Sequence, residues 1–221
     1  LIKNNLINEN WNGLNILVQN ASTVGLLDLK ILQGQKEKSS SFFDNLKNRK
    51  FKLLYLLGSD NLEFQKNDEF IVYQGSHGDR GAEIADLILP SATYTEQNGL
   101  YENLEGRIQE GKKASYPIGE ALEDWKIFNR IIKKLNFEDK TYNFDELRKE
   151  VLETIPNFSE INQLPKKSLI KTNNIETSFF NEKIVVRELD YYYTNSISRS
   201  SKTMSECRQI RQKIKKDGTN N

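Results

Sequence analysis

The chain has 221 residues, 37% hydrophobic and 29% charged, enough for one domain of ~150 residues and a tail. With 32 basic and 31 acidic residues its formal net charge is only +1, which excludes a global electrostatic signature of nucleic-acid binding. One cysteine, Cys207, and one histidine, His77, exclude an intrachain disulfide and any cysteine-ligated zinc or iron–sulfur site built from this chain alone.

No apolar run approaches the ~20 residues that a membrane-spanning helix needs. Residues 1–10 lack the basic start and long apolar core of a signal peptide, and the Arg-rich pattern of a transit peptide. The first residue is Leu1, which reads as a fragment or an unusual start. Asn, Ile and Lys are abundant, with 23 Lys against 9 Arg. Their A/T-rich codons point to an organellar gene or an A/T-biased bacterium.

In chain order, Trp11 to Val24 predicts an amphipathic helix. Trp11, Leu14, Leu17, Val18, Ala21 and Val24 share a face, with Asn10 as N-cap and Gly25 as the stop. Gly34 to Lys50 is polar and Ser-rich, a loop or a weak helix. Lys52 to Leu57 is an almost continuous apolar run, which suits a strand buried on both faces of a parallel sheet. Phe70–Tyr73 and Leu87–Leu89 are the next strands, the last stopping at Pro90. A long polar loop with Gly99, Asn103, Glu105, Gly106 and Arg107 follows. Leu122 to Leu135 predicts a helix whose Trp125, Phe128, Ile131, Ile132 and Leu135 share a face. Asn143 caps a further helix, Phe144 to Ile155, ended by Pro156.

Residues 157–175 read as irregular, and Lys183–Arg187 as an edge strand. From Ser198 the tail is helical, with Met204, Cys207, Ile210 and Ile214 on one face and Arg and Lys on the other. The last seven residues, from Lys215, read as disordered. Strands separated by short helical stretches give an α/β fold with a mainly parallel sheet.

Candidate chemistry is sparse. Gly75-x-x-Gly78-x-x-Gly81 follows a strand and precedes a short helix, where phosphates bind. The spacing departs from the dinucleotide fingerprint, and Asp79 and Glu83 place negative charge where a phosphate would sit. His77, in the same loop, has Asp79 as its nearest candidate orienting partner, and no motif places a Ser or Cys nucleophile beside it. A loop histidine bonded to backbone is the preferred reading. Glu96, Glu102 and Glu105 lie in a loop of unknown path, so no carboxylate separation follows. They read as solvated surface, with Glu105-Gly106-Arg107 a tight turn carrying a local ion pair. Cys207 reads as a buried thiol acting as a small hydrophobe. The basic face of the tail suits acidic lipid, a neighbouring subunit or plain solvent.

Several segments together resemble a known family. They are Asp86-Leu-Ile-Leu-Pro90, Tyr94-Thr95-Glu96, Gly99-Leu-Tyr-Glu-Asn103-Leu-Glu105-Gly106-Arg107, and Glu123-Asp124-Trp125-Lys126-Ile127. They resemble the molybdopterin oxidoreductases, and within them the large peripheral iron–sulfur subunit of respiratory complex I, NADH:quinone oxidoreductase. Trp11 to Leu17, Gln19-Asn20-Ala21 with Val24-Gly25, Asp190 to Asn195, Ile197 to Met204 and Glu206-Cys207 resemble that subunit specifically.

The resemblance implies a molybdopterin oxidoreductase-like α/β domain over 1–156, with an incomplete doubly wound sheet. Residues 157–221 would form a C-terminal extension with a tail helix. It further implies a structural part of the subunit on the matrix side of the mitochondrial inner membrane, or on the cytoplasmic face of a bacterial one. Iron–sulfur clusters would lie in an N-terminal portion, and the other peripheral-arm subunits would be its partners. No residue here stands as a molybdenum ligand. Leu100 replaces a Thr common in relatives, and Glu102 a common Val. No catalytic, cofactor-binding or metal-ligating residue is therefore assigned. A fragment of a true molybdopterin enzyme, such as a formate dehydrogenase-like chain, is the competing reading.

Overall fold

The computed structural model describes residues 7, 13, 15–18, 20–31, 40–59, 65–136, 141–156, 158–165 and 190–218. The elements run α1 (Thr23–Asp28), α2 (Ser40–Lys47), β1 (Leu53–Leu57), β2 (Phe70–Gly75), α3 (Arg80–Glu83), β3 (Leu87–Pro90), β4 (Gly99–Glu102), β5 (Ile108–Gly111), α4 (Asp124–Leu135), α5 (Phe144–Thr154), α6 (Ser196–Ser200) and α7 (Lys202–Gly218). The chain divides into two compact units, residues 45–91 with 178–221, and 1–44 with 92–177.

The first of these units holds a three-stranded parallel sheet in the order β1-β2-β3. Leu53 is in register with Phe70, and Val72 with Leu87. Side chains alternate across the sheet, so one face carries Leu54, Leu56, Ile71 and Tyr73. Those four and Leu46 form the buried core, with Phe51, Ala82, Ile84 and Ala85 packed against it. Burying side chains of this size contributes about 1.5–3 kcal/mol each.

On the other face Val72 and Gln74 are buried, but Leu53 is 57% exposed, Leu57 52% and Phe70 47%. The expectation that β1 is buried on both faces is therefore wrong. Only β2, between two neighbours, is covered enough to bury four consecutive side chains. Asp86 anchors the start of β3: its backbone N–H donates to Ile71 O, and its Oδ2 accepts from the Ile71 N–H at 2.8 Å.

In the other unit β4 and β5 form an antiparallel hairpin, Gly99 opposite Gly111 and Glu102 opposite Ile108. This replaces the long polar loop expected from the sequence. The five residues Asn103–Arg107 make the turn. Asn103 Oδ1 accepts from the N–H groups of Glu105 and Arg107, both at 3.0 Å, and Gly106 sits at φ +79°. Asn and Gly supply what such a turn requires: local side-chain capture of backbone donors, and positive φ.

The helix expected over Trp11–Val24 is also replaced. Gly13 and Asn15–Val18 are not helical, and α1 begins only at Thr23. Gly13 and the Asn residues weaken a helix there, by backbone entropy and by competing side-chain hydrogen bonds, and the apolar spacing did not register that. Gly25 lies inside α1, and the chain turns away at Lys30 with φ 59°.

α4 begins two residues later than the expected Leu122. Gln97 Oε1 accepts from the Asp124 N–H at 3.2 Å and Gln97 Nε2 donates to Asp124 Oδ2 at 3.0 Å, which fixes the start of the helix. Ile127 is the buried position, while Phe128 and Leu135 are exposed, so the buried stripe is rotated from the one the periodicity gave. Asn143 and Glu146 form the capping box of α5, as expected from Asn143. Asn129 ties α4 to the segment leading into α5, bonding both the carbonyl and the N–H of Tyr142. Residues 158–165 hold no helix or strand. Lys183–Arg187 lies outside the described residues. In the tail, Lys215–Gly218 belongs to α7 rather than to a disordered end.

Candidate functional site

Three places gather polar or titratable side chains. The first is the glycine loop after β2. Tyr73, 2% exposed, turns its ring along the loop and donates from its hydroxyl to His77 O at 2.8 Å. A Cβ on Gly75 would come within 2.5 Å of Tyr73 Cζ. One on Gly81 would lie 2.7 Å from Ser59 O and 3.0 Å from the ring. Gly78 has nothing within 4 Å of where a Cβ would stand. Two of the three glycines thus make room for Tyr73.

His77 Nδ1 lies 3.0 Å from Ser76 Oγ. Asp79 does not orient it. The Asp79 carboxylate caps α3 through the Arg80 N–H at 2.8 Å and pairs with Arg199 of α6. Burial disfavours its charge, but the Arg199 hydrogen bond, the Arg80 N–H and the Arg199 charge outweigh that and hold it below the usual carboxylate range. The loop does not fit a pterin or nucleotide phosphate: Tyr73 fills the space beside Gly75 and Gly81, and the Asp79 carboxylate already occupies the N-terminal cap of α3 where a phosphate would sit. The single Cys207, half-buried rather than buried as expected, cannot supply the ligands of a cluster.

The second place is the β4–β5 hairpin and α1. The expectation that Glu96, Glu102 and Glu105 are all solvated fails at Glu102, which is 6% exposed. Glu102 points inward because the hairpin register sets it opposite Ile108, itself 2% exposed. Its Oε2 is buried with no hydrogen-bond donor among the described residues. Burial first, then the neighbouring Asp28 carboxylate, raise Glu102 to about 7. Two carboxylates share a hydrogen bond only when one holds a proton, so the Glu102–Asp28 pair keeps a proton well above the usual carboxylate range.

Glu96 accepts from the Thr93 N–H at 3.1 Å. Glu105 lies at the turn, 4.0 Å from Arg107, the local ion pair expected there. Arg107 also donates to Asn162 O at 2.7 Å. The burial of Glu102 was readable only by recognising the hairpin, whose sequence cue is Asn103 and Gly106 between two short runs bounded outside by Gly99 and Gly111.

The third place went unread in the sequence. Tyr191 and Tyr192 line a cleft with Arg208, Arg211, Gln212 and Lys215 of α7. Arg208 pairs with Asp190 and stacks 4.5 Å from the Tyr193 ring. Arg211 lies 5.8 Å from Tyr191. These contacts pin the segment before α6 to α7. Among the described residues, no group of three or more His, Cys, Asp and Glu could hold a metal ion, and no helix is long and apolar enough to cross a membrane.

Within residues 92–127 the stretches beside Tyr94–Glu96 and Glu123–Ile127 are tied together. Thr95 O accepts from Ala114 N–H at 2.8 Å, Ala92 N–H donates to Leu122 O at 2.8 Å, and Gln97 bridges to Asp124. Buried Glu123 accepts from Lys126 and from Trp125 Nε1, both at 2.9 Å. These are contacts within the fold.

Comparison with known proteins agrees. Residues 1–134 match the molybdopterin oxidoreductase family model, and residues 157–207 match that of the C-terminal region of the G subunit of NADH-ubiquinone oxidoreductase. The chain is 40% identical over 205 residues, 91% of its length, to the NADH-ubiquinone oxidoreductase 75 kDa subunit of Reclinomonas americana. It is 38% identical over 97% of its length to the G subunit of the NADH-quinone oxidoreductase of Rickettsia typhi, and 37% identical over 92% to the mitochondrial NADH-ubiquinone oxidoreductase 78 kDa subunit of Neurospora crassa. It spans 29%, 30% and 27% of those three relatives respectively.

Proposed function

The chain belongs to the molybdopterin oxidoreductase family, and from that membership we propose that it is a structural part of the peripheral-arm iron–sulfur subunit of NADH:quinone oxidoreductase, respiratory complex I. The observation that carries this reading is the likeness to the 75 kDa and bacterial G subunits along 91–97% of the chain, including the subunit-specific C-terminal segment. The whole enzyme passes electrons from NADH to quinone and couples this to proton translocation. This chain carries no catalytic centre of its own; its residues hold a shape.

The iron–sulfur clusters sit in the remainder of the subunit, and the partners are that cluster-bearing portion and the adjacent peripheral-arm subunits. The site of action is the matrix side of the mitochondrial inner membrane, or the cytoplasmic face of a bacterial one. Residues 1–156 form the α/β domain and 157–221 its extension. The three-stranded sheet is part of a larger doubly wound one. The exposed Leu53, Leu57 and Phe70 support this, because parallel sheets are covered on both faces.

Purification of the native assembly through a tag on this chain tests the reading. Respiratory subunits and stoichiometric iron and sulfide should come with it, and molybdenum and tungsten should not. Stoichiometric molybdenum or tungsten would overturn the reading in favour of a true molybdopterin enzyme.

A further inference from the structure

The formal net charge of the whole chain is only +1, yet within α7 six Lys and Arg stand against Glu206 and Asp217. Part of this charge is already engaged. Arg208 pairs with Asp190, holds its carboxyl below the usual range through that hydrogen bond, and stacks on Tyr193. Arg199 of α6 pairs with Asp79 of the glycine loop. The segment before α7 is thus held in place, and the cleft that Tyr191 and Tyr192 form with α7 is set before anything enters it.

Arg211 is differently placed. It lies 5.8 Å from the Tyr191 ring and 6.0 Å from the Tyr192 ring, and has no carboxylate partner among the described residues. A guanidinium held by aromatic faces spends none of its N–H donors on them. It lines the cleft, of about 250 Å³, together with Gln212 and Lys215. On the adjacent side of the same helix Ile210 is 60% exposed and Ile214 65%.

The chemistry that fits follows from these groups. Arg208, Arg211 and Lys215 repel a cation, and the one carboxylate in the lining, Asp190, is bonded to Arg208. A carboxylate matches the planar fork of Arg211, with Gln212 as a neutral donor beside it. The exposed isoleucines take an apolar side chain next to that carboxylate. A membrane surface fits less well. α7 has no Trp, Phe or Leu, and its Met204 and Cys207 are half-buried, which leaves too narrow an apolar face for insertion.

We propose that this cleft, with Ile210 and Ile214 beside it, docks an acidic segment of a neighbouring polypeptide of the assembly, seating an Asp or Glu carboxylate on Arg211. The inference rests on the reading that the chain works inside a larger complex. Opposite charge steers the segment in, and the tyrosines that position Arg211 lower the entropy lost when the fork closes on its carboxylate.

The test is photo-cross-linking in the assembled complex, with a benzoylphenylalanine in place of Gln212 at the cleft. Irradiation and peptide mapping should join this position to another polypeptide, at a segment holding Asp or Glu within a few residues. Arg211→Gln should lower the yield at least threefold, whereas Lys213→Gln, outside the cleft, should leave it unchanged. Arg211→Glu should abolish the cross-link, and replacing the captured carboxylate by Arg should restore it. If the Arg211 variants prevent assembly, the identity of the captured segment with native Arg211 still decides. Cross-links confined to this chain, capture of lipid alone, a captured segment without an acidic residue, or equal losses from Arg211→Gln and Lys213→Gln would each overturn the proposal. Absence of the chain from the purified respiratory complex would overturn the functional reading as well; its presence without the cross-link strikes only the cleft.

Discussion

Tyr73 lies over Gly75, two residues further along the same strand, so closely that a Cβ there would come within 2.5 Å of Cζ. The same ring approaches Gly81, whose Cβ would also meet the backbone oxygen of Ser59 at 2.7 Å. Gly81→Ala should therefore destabilise this unit by about 1–3 kcal/mol, because neither a backbone carbonyl nor a buried ring can yield cheaply. Gly78→Ala, with open space around it, should change little. Hydrogen exchange across residues 70–75 in the assembled protein measures both. Equal protection in the two variants would remove the packing explanation of the glycine loop.

Glu102 gives a pH dependence of defined sign. A carboxyl raised to about 7 in the folded chain, against 4.5 as its ordinary value, binds a proton that the unfolded chain has released. Its contribution to stability is complete below about pH 4.5 and is lost as pH rises through 7. Glu102→Gln should therefore match the native chain near pH 4.5 and exceed it by about 1–3 kcal/mol at pH 8. Denaturant midpoints of the chain co-expressed with its cluster-bearing portion, taken at both pH values, check this. A variant equally destabilised at both would show that the carboxyl carries no proton of this kind.

Gly106 combines φ +79° with Pro165 Cγ at 2.9 Å from where a Cβ would stand. Gly106→Val should cost about 1–3 kcal/mol through backbone strain and contact, and lower the amount of assembled complex. An unchanged melting temperature with normal assembly would contradict this.

Cys207→Ser and His77→Gln should leave NADH-to-quinone turnover nearly unchanged per assembled complex. His77 has the Ser76 hydroxyl beside it, but Asp79 is engaged by Arg199 and the Arg80 N–H and does not orient the ring, and Cys207 is a half-buried residue of α7, so neither stands in an assembled catalytic set. A loss well beyond tenfold in fully assembled enzyme would place one of them in the electron or proton path.

β1 should exchange its amide protons readily in the chain alone and slowly in the complex. Among the described residues it is an edge strand, paired on one side, with two of its five side chains more than half exposed. Strong protection in both states would show that the sheet is complete as it stands.

The parallel sheet was legible because β1, β2 and β3 are apolar runs ended by polar or glycine-rich turns, and α5 because Asn143 and Glu146 form a cap at fixed spacing. What escaped depended on partners distant in sequence. Glu102 reads as an ordinary surface glutamate until the hairpin sets it opposite Ile108. The Trp11–Val24 periodicity is real in the letters, yet Gly13 and the asparagines oppose a helix there. The later start of α4 follows from Gln97, 27 residues before its partner Asp124. The tyrosines at 191–193 matter through arginines about 15–20 residues away across a helical turn, a relation that spacing alone does not single out.

The half-bare sheet bears on how much of this protein a cell can hold. A chain that leaves Leu53, Leu57 and Phe70 in water, beside a strand edge with no partner among the described residues, offers chaperones and proteases a handle until something covers it. Its abundance would then track the supply of whatever covers that face, and surplus copies would be cleared, so stoichiometry would be enforced after translation by the sheet itself.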